Sequence, residues 1–151
     1  MKKRFIIIML VLLLFSYNSI SAYEYHNEIA DIEYLLNQRI VIMNDFLYGY
    51  KDMKSLEDKL SDIETEKLLT NDLDILFKVI DCPTDYELAM KVEVEKIYTL
   101  ERNEDGFYVN VDLNWLMSGY DGEFNMIKNY NIKCIELDEQ MYLASMVIVN
   151  D

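Results

Sequence analysis

The chain has 151 residues, 14 of them Lys or Arg and 28 Asp or Glu, a formal net charge of −14. With 52% hydrophobic residues it is too apolar for a disordered acidic tail, and four Gly and one Pro exclude collagen-like and low-complexity chains. Two Cys are too few for a disulfide-dense mini-domain, and the acidic balance argues against nucleic acid and anionic lipid, which need a basic footprint.

The N-terminus reads as an export segment. Lys2, Lys3 and Arg4 are followed by an unbroken apolar run from Phe5 to Phe15, then by small and polar residues ending in Ser19-Ile20-Ser21-Ala22. That is the three-part pattern of a secretory signal peptide over residues 1–22. As a helix the apolar run rises ~16 Å, about half a bilayer core, so it suits cleavage better than permanent anchoring. The alternative is an uncleaved N-terminal tether. Cleavage would leave 11 basic against 28 acidic residues, a net charge of −17 on a single domain from Tyr23 to Asp151.

From Glu28 to Tyr50 the residues Ile29, Ile32, Leu36, Ile40, Met43, Leu47 and Tyr50 recur every three or four positions, which predicts one long helix. Ser55 and Asp58 form a capping-box pattern, predicting a second helix from about Ser55 to Leu69. Thr70-Asn71-Asp72 resembles another N-cap and predicts a third helix from about Asn71 to Asp81, ended by Cys82-Pro83.

After Ala89 the period changes to two. Lys91 to Arg102 alternates with a phase slip that predicts a β-bulge near Glu95–Lys96. Asn103 to Gly106 is a hairpin signal. From Phe107 to Met117 the odd positions are apolar and include Trp115, while Asn110, Asp112 and Asn114 are polar, predicting a strand with one buried face. Phe124 to Ile135 and Met141 to Val149 complete a four-strand meander. Three helices followed by an antiparallel sheet define an α+β fold.

This order resembles the nuclear transport factor two-like fold of the cystatin-like group. The stretches that carry the likeness are IETEKLLTNDLDILFKV, FYVNVDLNWLMSGYDG and NYNIKCIELDEQMYLASM. The resemblance implies that the three helices pack on a strongly curved sheet to make a cone, and it covers Tyr23 to Asp151. It also implies the range of roles that this fold hosts: enzymes with a carboxylate aimed into the cone, and accessory domains of bacterial envelope machines.

Few residues offer chemistry. His26 is the lone histidine, which excludes a multi-His metal site, and no Gly-x-Ser-x-Gly stretch is present. Cys82 and Cys134 are the candidate pair for one disulfide; the alternative is two separate buried thiols. The clusters Glu57-Asp58, Asp62-Glu64-Glu66 and Asp72-Asp74 lack the glycine turn of a calcium loop and read as solvated helix faces. No catalytic residue, metal or cofactor is assigned. Tyr108, Asn110, Asp112, Asn114 and Leu116 share the outer face of the second predicted strand, a surface suited to a protein partner, one with a basic surface, or to self-association. The expected function is therefore an exported, non-catalytic binding or accessory domain of the cell envelope or extracellular space. The alternative is a small-ligand binder or enzyme using the cone cavity.

Overall fold

The computed structural model describes residues 27–49, 52–81 and 87–149. The export segment, His26, Cys82 and Pro83 lie outside the described residues. By its contacts the chain divides into one unit up to Asp31 and a second from Ile32 onward. Of the first, residues 27–31 are described and are helical. The second holds the helices and the sheet.

Helix α1 covers 27–48. Ile32, Leu36 and Ile40 of the predicted stripe are buried, and Leu35 and Phe46 widen it. Helix α2 is Met53–Ser61 and α3 is Glu66–Asp81. Three expectations are corrected here. The cap of α2 is Asp52, whose side chain accepts from the Lys54 and Ser55 amides, so Ser55 lies inside the helix. The predicted second helix is also broken between Ser61 and Glu66, and Thr70-Asn71-Asp72 lies within α3. No Gly or Pro marks that break. It arises from tertiary pairing: the Leu143 amide donates to the Ile63 carbonyl (2.8 Å), and the Thr65 amide donates to the Leu143 carbonyl (2.9 Å). A continuous helix would have committed these groups to itself.

The four strands are β1 (Leu88–Asn103), β2 (Gly106–Gly119), β3 (Gly122–Leu137) and β4 (Gln140–Ile148). They form one open antiparallel sheet in sequence order. The slip expected near Glu95 is present between Val94 and Lys96, and β1 slips twice more. On β2, Phe107, Val109, Val111, Leu113 and Trp115 are all buried, joined from β3 by Tyr130, Ile132 and Cys134. These side chains share one core with α1, α2 and α3. Trp115 therefore lies on the helix-facing side, its ring 5.9 Å from that of Tyr130. Gly106 turns the first hairpin at φ +143°, where a Cβ would stand 2.2 Å from the Cys134 carbonyl oxygen. Only glycine fits there.

From Ala89 to Val94 the free edge of β1 is closed by side chains of α1. Asn37 donates to the Val92 carbonyl (2.8 Å) and accepts from the Val92 amide (3.0 Å). Glu33 accepts from the Val94 amide (2.7 Å), and Asn44 donates to the Ala89 carbonyl (2.8 Å). A helix thus occupies the backbone groups that an edge strand would otherwise offer to another chain.

Candidate functional site

Alternation along β2 carries Tyr108, Asn110, Asp112, Asn114 and Leu116 to the face opposite the core. Antiparallel pairing sets Asn131 beside Asn110 and Asn129 beside Asp112. The Asn110 amide donates to Asn129 Oδ1 (2.8 Å) and Asn131 Oδ1 (2.9 Å). Asn129 in turn donates to Asp112 Oδ1 (2.8 Å), and the Tyr98 hydroxyl donates to Asp112 Oδ2 (2.7 Å). These bonds, first that from Asn129 and then that from Tyr98, hold the Asp112 carboxyl below its ordinary value. Lys96 sits 4.3 Å from the Tyr98 ring centre, and Lys133 lies 5.8 Å from that of Tyr108. Two shallow hollows of about 380 and 700 Å³ flank Asn110.

The network unites Asn110 and Asp112 with three residues not singled out in the sequence: Tyr98, Asn129 and Asn131. Asn129 and Asn131 alternate with buried Tyr130 and Ile132, a signal readable once β3 is set in register. Tyr98 was hidden by the slip between Ile97 and Thr99. Tyr108 lies on the same face, across from Lys133. Asn114 and Leu116 continue that face but stand apart from the network; Asn114 Oδ1 is buried without a partner. Cys134 is buried on the inner face.

A second polar group lies within the fold, and it corrects the reading of the acidic clusters. Glu64 and Asp72, expected on solvated helix faces, are 1% and 2% exposed. Arg39 of α1 lies between them. Its Nε and Nη2 both meet Asp72 Oδ2 at 2.6 Å, and Nε is 2.9 Å from Glu64 Oε1. The Nε hydrogen is aimed at Asp72, so Glu64 stands beside the cation with neither oxygen in an aligned hydrogen bond. Burial, followed by the Asp72 charge, pushes Glu64 up to about 8, against the pull of Arg39. Burial opposes the Arg39 charge, but Asp72 and Glu64 outweigh it and hold the guanidinium above its ordinary value. Burial likewise raises the nearby Tyr130 phenol, opposed by Arg39 and the Trp115 indole. The sequence held a signal: Arg39 follows Leu36 by three positions and Asp72 follows Leu68 by four, so both fall on apolar stripes.

Among the described residues, no group of three or more His, Cys, Asp or Glu side chains is arranged to hold a metal, and no helix is long and apolar enough to cross a membrane. The chain matches no family model and no curated protein. The solved structures it is similar to include the following two. One is the intermembrane-space region of the chloroplast protein ARC6, at 9% identity and a TM-score of 0.49, covering 82% of this chain and 97% of that one. The other is a protein of unknown function from Bacteroides thetaiotaomicron, at 14% identity and a TM-score of 0.45, covering 89% of this chain and 98% of that one.

Proposed function

We propose that this chain is an exported, non-catalytic accessory domain that binds another protein through the outer face of its sheet. The observation that carries the reading is the hydrogen-bonded array of Tyr98, Asn110, Asp112, Asn129 and Asn131 on a sheet face that no described helix covers. Side chains fixed in this way lose little further freedom on binding, which favours specific contact. The inner face is filled by apolar side chains, so the cone of a nuclear transport factor two-like fold, if the resemblance is followed, is largely occupied. The export pattern of residues 1–22 directs the domain to the cell envelope or beyond. The net charge of −14 draws a basic partner surface from a distance, so association slows as salt rises.

The test is capture of a partner from the native envelope fraction by the wild-type chain and by Asp112→Lys and Tyr108→Ala variants. Loss of capture with an unchanged melting temperature supports the reading. Undiminished capture by both variants overturns it.

One observation favours a second reading, a small-ligand binder or enzyme. A carboxyl kept protonated near neutral pH beside a cation and a second carboxylate is the arrangement of a general acid, and Glu64 with Arg39 and Asp72 has it. Its side chain is 0% exposed, so a substrate would have to displace the link between α2 and α3 to reach it. Turnover abolished by Glu64→Gln with the fold intact would favour this reading over the first.

A further inference from the structure

The sheet has two edges, and they are treated differently. The β1 edge is occupied from Ala89 to Val94 by Glu33, Asn37 and Asn44, and its remaining length carries the charges of Lys96, Glu101 and Arg102. The first half of β4 is occupied at Leu143 by the 63–65 link, and Gln140 donates to the Asp62 carbonyl (2.8 Å). Among the described residues nothing pairs with the outer side of the second half, Ser145 to Ile148. The Val149 amide donates to the Asn129 carbonyl, so Val149 faces β3. The register runs unbroken from Ser145 to Ile148, and alternation therefore turns the backbone groups of Met146 and Ile148 outward.

This open edge is also apolar. Val147 and Ile148 are 56% and 46% exposed, and Ile127, on the stretch of β3 that extends past β4, is 57% exposed. No gatekeeping charge interrupts it. Gln140 to Asn150 is the longest charge-free run after the N-terminal segment, in a chain of net charge −14. Natural edges are usually blunted by Lys, Pro or a covering element, and this half-strand has none of these among the described residues.

We infer that Ser145–Ile148 of β4 is a self-association edge, pairing antiparallel with the same segment of a second copy about a twofold axis. The occupant follows from charge. A twofold contact sets each surface against itself, so an acidic chain meets like charge almost everywhere, and a charge-free edge is where that repulsion is least. The inference is told apart from the outer-face reading by its readout, self-association and not partner capture, since Val147 stands across from Asn131 on that face.

Sedimentation of the purified chain between about 1 and 100 μM should show a monomer–dimer equilibrium, as suits a short contact. Val147→Lys places like charges across the axis and should weaken dimerisation tenfold or more, while Val147→Thr stays within about twofold of wild type. Ile148→Pro removes an outward amide and spares the ladder to β3, and should leave a monomer. If neither Val147→Lys nor Ile148→Pro folds, hydrogen exchange on the wild type decides: the Met146 and Ile148 amides should slow as concentration rises. A monomer at every concentration overturns the inference, including the case where those amides are already protected by another part of the chain. So does a dimer that survives both variants, or one whose Met146 and Ile148 amides exchange at the same rate throughout.

Discussion

Asp112 on the outer sheet face and Glu64 in the link between α2 and α3 are both carboxyl groups, held in opposite ways. Asp112 accepts from Asn129 and Tyr98 in contact with water, and its charged form is favoured. Glu64 is buried beside a second carboxylate, and its neutral form is favoured to about pH 8 despite the adjacent Arg39. Donors stabilise an exposed charge, whereas one cation shared by two buried carboxylates cannot stabilise both. The contrast shows why a count of acidic residues says little about where charge resides in the folded chain.

The comparison breaks most sharply at Arg39. Arg39→Met would leave Asp72 and Glu64 buried without a cation, and denaturant unfolding should show a loss of about 3–5 kcal/mol. Glu64 then predicts a pH dependence. Its folded value lies above its ordinary one, so between about pH 4.5 and 8 the folded state holds a proton that the unfolded state has lost. The stabilisation is fully present below that window and is lost as pH rises through it, at up to about 1.4 kcal/mol per pH unit. Glu64→Gln should flatten that slope, as read from unfolding curves across the window. Smaller is the effect of Asn37→Ala, which frees both backbone groups of Val92; a loss of about 1–3 kcal/mol is expected in the same assay. Least affected is the outer face: Asp112→Asn should lower the melting temperature only slightly at pH 7, because the exposed carboxylate is stabilised by two hydrogen bonds in contact with water, while any partner affinity that depends on the array falls.

How much of this was legible in the sequence depends on the range of the interaction. The alternation from Phe107 to Met117 is local, and it correctly placed Trp115 inward and Asp112 outward. The meander followed from its turn residues, and the slip in β1 from a change of parity. The division between α2 and α3 was not legible, because its cause is Leu143, nearly eighty positions away along the chain. The burial of Glu64 and Asp72 was missed for a related reason. Composition marks an acidic run as solvated, and only the position of Asp72 on an apolar stripe hinted otherwise. On the outer face, β2 alone gave Tyr108, Asn110 and Asp112, but the partners of Asp112 come from β1 and β3 and depend on register.

The clasp of α1 on β1 has a consequence for the order of folding. Its bonds join residues 45, 55 and 61 positions apart, whereas the three hairpins are closed by short turns. Local pairings cost less loop entropy and form first, so the helix docks on a sheet that is already assembled. Substitutions at Asn37 or Asn44 should then speed unfolding and leave the refolding rate nearly unchanged. Until that late step β1 lies open to other chains, and the time a molecule spends before docking sets how much of it is lost to aggregation.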